Sequence, residues 1–172
     1  LTIILFSFIS CTVVPKGFKL NKGNKYMTHL ASGIQFPERI GTFTRIDPVN
    51  LNLNADSAII RYATRLITSS NIYIYLKPYN STEFNLEKST LKNKIMNMDK
   101  NAKIAKEENI DLVLSDEKVT VYRLSSYLHN PDIVAAGQIY QDYFLFKNRD
   151  YSVMIRINLK DNIESVLQQH LN

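Results

Sequence analysis

The chain has 172 residues, of which 45% are hydrophobic and 22% are charged, so wholesale disorder is excluded and a single domain is expected. Lys and Arg outnumber Asp and Glu by 21 to 16, a net charge of +5 that is spread along the chain. Nucleic-acid binding needs a denser basic cluster, so we expect no nucleic-acid partner. The one cysteine, Cys11, excludes an internal disulfide.

Residues 1–10 carry no charge and are mostly apolar. The stretch is too short for a membrane-spanning helix, which takes about 20 residues, but it suits the apolar core of a secretory signal. A basic segment and an initiator Met normally precede such a core, and we expect both to lie upstream of Leu1.

The end of this stretch, from Phe8 to Cys11, resembles a bacterial lipoprotein signal, in which a lipidated cysteine becomes the mature N-terminus. We therefore predict a signal or lipoprotein segment over residues 1–11, with Cys11 as the lipidation site and the lipid anchor as the contact with the membrane. Two alternatives stay open: an ordinary signal that is cut further along, and a buried first strand.

Residues 12–33 differ in composition from the rest of the chain, because glycine, proline and lysine interrupt any regular pattern. The residues concerned are Pro15, Lys16, Gly17, Lys19, Lys22, Gly23, Lys25 and Gly33. We predict a flexible basic tether here, either solvated or in contact with anionic lipid headgroups.

The folded domain is predicted to span residues 34–172. Residues 42–46 read as a short strand, and polar side chains then alternate at Asn50, Asn52, Asn54 and Asp56. A calcium loop shows similar alternation, but the central Gly and closing Glu of that motif are missing. We interpret the segment as a turn and predict no metal site.

Residues 58–67 and 72–79 have the composition of two strands joined by a turn, which predicts a hairpin. Successive strand residues point to opposite faces of a sheet. Ile72, Ile74 and Leu76 therefore share one face, and Tyr73, Tyr75 and Lys77 share the other. We expect the isoleucine side to pack beneath a helix.

That helix is predicted to begin at Asn80 or Ser81, whose side chains can cap it, and to run to about Glu108. Its apolar stripe recurs at helical spacing. The stripe consists of Phe84, Leu91, Ile95, Met98, Ala102 and Ala105. Most of the lysines of this segment lie off the stripe, as expected for a solvated outer face.

The remainder reads as strands at residues 110–114, 119–124, 139–146 and 151–159, with a long connection over 125–138 and a short C-terminal helix after Asp161 or Asn162. Strands linked as hairpins form antiparallel sheets. The predicted fold class is α+β: a central antiparallel sheet with one long helix packed on one face and a short C-terminal helix.

Three groups of residues carry a family resemblance: residues 36–43, residues 72–75 and the pair of segments 143–146 and 155–156. In these segments the chain resembles small exported bacterial proteins of unassigned function. In the order of its elements, from residue 34 to residue 172, it is similar to the PsbP-like fold. The resemblance implies an accessory or binding protein rather than an enzyme, and it transfers no site residues.

Residue patterns typical of catalysis or cofactor binding do not appear. His29, His129 and His170 are far apart in sequence, and we interpret them as surface residues. The chain has no glycine-rich phosphate loop and no Gly-x-Ser-x-Gly motif. We therefore name no catalytic residue and no cofactor, and an enzyme is the less favoured class.

The candidate binding face consists of Tyr73, Tyr75 and Lys77, joined by Arg156 because Val153, Ile155 and Ile157 must occupy the opposite face of their strand. Tyr and Arg are enriched at protein interfaces. The alternative is that these tyrosines merely pack against covering loops.

The sequence supports two functions from different classes. The first is a membrane-tethered accessory protein that faces the periplasm and binds another cell-envelope component through the open sheet face. The alternative is an envelope hydrolase or small-molecule-binding protein with a cleft between the sheet and the 125–138 loop.

Overall fold

The computed structural model describes residues 14–21, 23, 25–64, 70–114, 117–129 and 138–160. The predicted signal segment 1–11, with Cys11, and the predicted C-terminal helix lie outside these residues. The described elements in chain order are β1 (Phe18–Leu20), β2 (Tyr26–His29), β3 (Gln35–Pro37), β4 (Arg39–Ile40), β5 (Phe43–Asn50), β6 (Ala58–Ala63), β7 (Asn71–Pro78), α1 (Ser81–Met98), β8 (Lys103–Leu114), β9 (Glu117–His129), β10 (Gln138–Asn148) and β11 (Tyr151–Lys160).

The main sheet has eight strands in the order β4-β5-β6-β7-β11-β10-β9-β8, and every neighbouring pair is antiparallel. The predicted hairpin of β6 and β7 is confirmed. The last strand, β11, returns to pair with β7, so α1 and the strands β8 to β10 form an insertion between two sheet neighbours. The α+β class and the antiparallel sheet are as predicted.

A second, three-stranded sheet of β1, β2 and β3 replaces the flexible tether that composition predicted for residues 12–33. That prediction is wrong for the described residues of the segment. Phe18 and Met27 alternate with exposed neighbours and are buried, as is Phe36 of β3. The glycines and Pro15 mark tight turns between short strands rather than a solvated chain.

Helix α1 is shorter than predicted and ends at Met98 instead of Glu108. Asn80 caps its start, because Oδ1 of Asn80 accepts the backbone N–H of Glu83 at 3.1 Å. At the other end, Asp99 has extended backbone and its Oδ1 accepts the N–H of Asn101 at 2.8 Å.

The residues predicted as the end of the helix form β8 instead. This strand pairs with β9 along its whole length, with a register shift between Ile104 and Lys106. Pairing lets Ile104 pack on the same core cluster as Leu128, whereas a longer helix would leave β9 with an unpaired edge.

The two faces of the main sheet carry separate cores. On one face Ile72, Ile74 and Leu76 pack against Phe18, Met27 and Phe36 of the small sheet. On the other face Leu91 and Ile95 of α1 pack against a group from β9 and β10. That group is Tyr122, Leu124, Tyr143 and Leu145.

Register shows which face the helix covers. Tyr143 lies opposite Arg156, which in turn lies opposite Tyr73. Likewise, Leu145 lies opposite Met154, which lies opposite Tyr75. Cross-strand partners share a face. The helix therefore packs on the tyrosine side of the sheet, and the prediction that it covers Ile72, Ile74 and Leu76 is wrong. Those residues are covered by the small sheet, which contributes Phe18, Met27 and Phe36 to their core cluster.

The predicted long connection over 125–138 is also partly wrong. Strand β9 continues to His129, and Ser125 and Ser126 are fully buried in it. Residues 130–137 lie outside the described residues. The predicted first strand of the domain, 42–46, extends to Asn50 through a register shift between Ile46 and Val49.

Candidate functional site

The candidate binding face is brought together by the pairing of β7 with β11. Arg156 lies directly opposite Tyr73. The rings of Tyr73 and Tyr75 stack with centroids 6.2 Å apart and planes 26° from parallel. The guanidinium of Arg156 lies 4.4 Å from the centroid of the Tyr73 ring and 5.8 Å from that of Tyr75. Three of the four predicted residues therefore form one stack, in which the guanidinium is held by cation–π contacts.

Lys77, the fourth predicted residue, is directed to the helix instead. Its Nζ lies 2.9 Å from Oε2 of Glu87 and 3.7 Å from Oε2 of Glu83. Alternation correctly placed Lys77 on the face of Tyr73 and Tyr75, but the helix was predicted to cover the opposite face. The lysine ties β7 to the first turns of α1 and is not available in the way Arg156 is.

The stack rests on buried polar groups of β10 and β11. The hydroxyl of Tyr143 donates to Oε1 of Gln141 at 3.0 Å, and burial raises the pKa of Tyr143. Burial also raises the pKa of Tyr75. Both phenols are therefore neutral at physiological pH and act as hydrogen-bond donors or flat contact surfaces.

Two polar atoms on this face of β11 have no hydrogen-bond partner among the described residues: Nε of Arg156 and Oδ1 of Asn158. Both are shielded from water. The amide nitrogen of Asn158 is used elsewhere, donating to Oδ1 of Asn71 at 2.6 Å. Unsatisfied buried polar atoms are costly, so they mark a place where a contact is completed from outside or where water is held.

The same face continues beyond the predicted residues onto β6 and β5. Arg61 lies opposite Tyr73, and Ile46 lies opposite Arg61. Ile59 lies opposite Tyr75, and Val49 lies opposite Ile59. Arg61 is exposed, Ile46 is 38% exposed and Val49 is 60% exposed. We call the surface made of Ile46, Val49, Ile59, Arg61, Tyr73, Tyr75 and Arg156 the tyrosine face.

Sequence reasoning missed the β5 and β6 part of the tyrosine face, although the hairpin itself was predicted. An antiparallel pairing of residues 58–63 with residues 71–76 would have placed Arg61 beside Tyr73. The missing step was the register of the β6–β7 pairing, which the sequence between the two strands does not specify.

On the opposite face of the sheet, one carboxylate accepts hydrogen bonds from several side chains. Asp142 is buried and accepts hydrogen bonds from Nε and Nη2 of Arg123, at 3.2 and 2.9 Å, and from the hydroxyls of Ser125 and Tyr140. Glu108 adds a second ion pair to Arg123 at 3.5 Å. The hydrogen bond to Asp142 raises the pKa of Arg123. These contacts engage both oxygens of the Asp142 carboxylate, so the cluster links β8, β9 and β10 structurally.

A shallow groove of about 230 Å³ lies between α1 and β8, away from the predicted cleft beside residues 125–138. Its ionisable groups already have polar partners: Lys92 pairs with Glu107 at 3.4 Å, the Tyr122 hydroxyl donates to Glu107 at 3.0 Å, and Nζ of Lys88 donates to Oδ1 of Asn109 at 3.1 Å. Burial, followed by the contact with Glu107, raises the pKa of Tyr122 to about 12. The groove is lined by Asn85, Lys88, Ser89, Lys92, Glu107 and Tyr122.

His29 is not the surface residue that the sequence suggested. It is 0% exposed, with Nε2 at 3.0 Å from the carbonyl oxygen of Ala55 and Nδ1 at 2.9 Å from Oγ of Ser32. Since a carbonyl only accepts, Nε2 carries the proton and Nδ1 accepts from the serine hydroxyl. Burial is the main cause that lowers the pKa of His29. The side chains of His129 and His170 lie outside the described part.

Within the described residues, no three His, Cys, Asp or Glu side chains form a group that could hold a metal ion. Similarly, no helix of the described part has the length and apolar character needed to cross a membrane. The turn between β5 and β6 is closed by protein contacts, with the N–H of Leu51 donating to the carbonyl of Ser57 at 2.7 Å.

Comparison with known proteins gives a relationship at the level of structure. No protein-family model matches the chain, and no curated protein matches its sequence. The solution structure of cyanobacterial PsbP (CyanoP) from Synechocystis sp. PCC 6803 is similar, with a TM-score of 0.51. The likeness covers 93% of this chain and 91% of CyanoP, at 10% sequence identity. At this identity the likeness concerns the backbone, and the chain has a PsbP-like fold.

Proposed function

We propose that this chain is an exported accessory protein of the cell envelope that binds another protein through the tyrosine face. The observation that carries the proposal is the stack of Tyr73, Tyr75 and Arg156 on the part of the sheet that α1 leaves open.

The composition of that surface supports a protein partner. Tyrosine and arginine offer large contact areas with few rotatable bonds, and they are enriched among residues that dominate binding energy. Here the tyrosines are already stacked, so little side-chain entropy remains to be lost on binding. The exposed side chains of Ile46 and Val49 add apolar area next to them.

The proposal of export and tethering rests on the sequence of residues 1–11, which has the apolar core and terminal cysteine of a lipoprotein signal. Intact-mass spectrometry of the mature protein from its native host tests it. We expect an N-terminal Cys11 carrying acyl chains; an unmodified residue, or an N-terminus elsewhere, contradicts the anchor.

The binding surface is tested by photo-crosslinking in the native envelope. A photoreactive phenylalanine analogue replaces Tyr75 in one variant and Leu86 of α1, which is 60% exposed, in a matched control. We expect a defined crosslinked protein with the first variant and none with the second. Adding Arg156→Ala to the first variant is expected to reduce the crosslinked yield. Equal crosslinking at both positions, or at neither, contradicts the proposal.

The alternative, an envelope hydrolase or small-molecule binder, has less support in the described residues. The predicted cleft borders residues 125–138, but Ser125 is buried in β9 and its hydroxyl donates to Asp142. The groove beside α1 is shallow, and its charged side chains already have polar partners.

A further inference from the structure

Arg156 is one of the basic side chains of the sheet without a carboxylate partner, and among the described residues it is the one whose Nε is also buried without an acceptor. Lys77, Lys106, Lys118 and Arg123 each lie within 4 Å of a carboxylate. Among the ion pairs of the described residues, none includes Arg156 or Arg61, which lies on the same face across Tyr73. Arg156 contacts the faces of two tyrosine rings and also interacts with the Tyr143 hydroxyl opposite it, but its Nε is buried without an acceptor.

The strands around Arg156 do not supply the missing counter-charge. The described side chains that share its face on β5, β6, β7 and β11 are apolar, neutral or basic. The carboxylates that reach this face from α1, Glu83 and Glu87, are held by Lys77. A half-buried guanidinium with an unsatisfied N–H is stabilised when a carboxylate completes its planar fork of donors.

From this imbalance, and resting on the proposed function, we infer that the protein partner presents an acidic segment to the tyrosine face. A carboxylate of the partner binds Arg156, a second one binds Arg61 on β6, which lies across β7 from β11, and an apolar side chain packs on Ile46 and Val49. The basis is charge complementarity: the face offers two unpaired arginines and exposed apolar area, and it excludes a basic partner by repulsion.

An anionic membrane surface is the competing occupant, and the residue types favour the acidic protein. Binding to anionic headgroups typically uses clusters of several lysines or arginines, each adding about 1 kcal/mol, and this face offers two arginines free of ion pairs among the described residues. The one lysine described beside the stack, Lys77, is paired with the helix. Arginine beside stacked tyrosines is the combination found at the centres of protein interfaces.

The test uses two capped peptides of five residues, DELED and its neutral counterpart NQLQN, titrated into isotopically labelled protein and followed by amide NMR shifts. We expect DELED to shift the amides of residues 59–61, 73–75 and 156, with NQLQN causing no comparable shifts. Raising the salt concentration should weaken binding. Shifts elsewhere, equal binding of both peptides, or no binding of DELED at millimolar concentration overturns the inference.

Variants locate the contact. Arg156→Gln is expected to weaken DELED binding about five- to tenfold, the loss of one charge-assisted contact at a partly exposed site. Lys94→Gln, which removes an exposed charge from α1, should change binding less than twofold. Equal effects of the two substitutions would show that only net charge matters and would overturn the inference. The spectrum of each variant without peptide shows whether the fold is intact.

Vesicles of phosphatidylglycerol and phosphatidylcholine test an anionic membrane as the competing occupant. Binding to them that is lost in Arg156→Gln, without binding of DELED, identifies a membrane surface as the occupant and overturns the inference. The crosslinking experiment separates the two proposals. A partner crosslinked at Tyr75 through a neutral or basic segment refutes the acidic partner and leaves the proposed function standing. DELED binding without crosslinks shows that the face binds acidic groups but contradicts the proposed protein partner in the envelope.

Discussion

The predicted binding residues show how far simple alternation can lead at the scale of single residues. Alternation on two separate strands placed Tyr73, Tyr75 and Arg156 on one face, and the β7–β11 register then puts Arg156 directly opposite Tyr73. The stacking distances required the tertiary structure, because β7 and β11 are neighbours in the sheet but far apart in sequence.

Gly17 gives a residue-scale prediction. Its φ is +82°, and an added Cβ would lie 2.7 Å from Cβ and 2.9 Å from the carbonyl oxygen of Ala55. Gly41 also has positive φ, at +55°, but a Cβ there would meet nothing within 4 Å. Gly41→Ala therefore carries only the backbone strain, about 1 kcal/mol, whereas Gly17→Ala adds overpacking and should cost about 3 kcal/mol. Urea unfolding of both variants measures the difference.

Equal losses of unfolding free energy in the two variants would contradict the close packing of residues 14–21 against the loop that contains Ala55. A flexible tether over residues 12–33 predicts almost no loss for Gly17→Ala, so the same measurement separates the tether from the small sheet.

At the scale of elements, the end of α1 was predicted about ten residues too late, at the expense of β8. The residues after Met98 continue an apolar spacing of three and four, which fits a helix as well as a strand over so short a range. Alternation also holds there, with Ile110 packing on the core between exposed neighbours. Pairing with β9 along the whole length of β8 stabilises the strand over the helix.

The packing of the helix gives an element-scale prediction. Ile95 is 0% exposed and lies in the cluster with Leu124 and Leu145, whereas Leu86 of the same helix is 60% exposed. Ile95→Ala should lower the free energy of unfolding by about 2–5 kcal/mol, because it removes buried contacts and leaves a cavity. Leu86→Ala should change it by less than about 0.5 kcal/mol. Thermal or urea unfolding followed by circular dichroism checks both.

A loss with Leu86→Ala as large as that with Ile95→Ala would mean that the helix packs through its other side.

At the scale of the whole molecule, the two faces of the sheet are covered by different elements. The small sheet is tied to the main sheet by Tyr62, whose hydroxyl donates to the carbonyl of Pro37 at 2.9 Å, and by Arg45, which donates to the carbonyl of Phe36. Burial raises the pKa of Tyr62 to about 12, so this donor stays protonated at physiological pH.

His29 makes the docking of the small sheet dependent on pH. It contacts the Phe18 and Tyr151 rings and the Ala55 carbonyl, and the Asp56 carboxylate, facing it from the β5–β6 turn, raises its pKa without cancelling the effect of burial. The folded-state pKa lies below the ordinary value of 6.5. The unfolded chain therefore takes up the proton first as the pH falls, and folding stability is lost below about pH 6.5, by at most about 1.4 kcal/mol per pH unit.

Urea unfolding at pH 7.5, 6.5 and 5.5 measures this effect. We expect His29→Gln to be less stable than the parent at pH 7.5 but to lose less stability as the pH falls. An unchanged pH dependence in that variant would show that other groups are responsible.

The sequence by itself determined the local features of this protein: most strand positions, the start of α1 at its Asn80 cap, the α+β class, and which residues alternate to each side of β7. Strand alternation and helix capping depend on residues that are close in sequence, because their physical causes are local. The tertiary structure decided which element covers which face, and it joined Tyr73, Tyr75 and Arg156 to Arg61, Ile46 and Val49. These depend on register and on competition between distant apolar surfaces, which no single segment encodes.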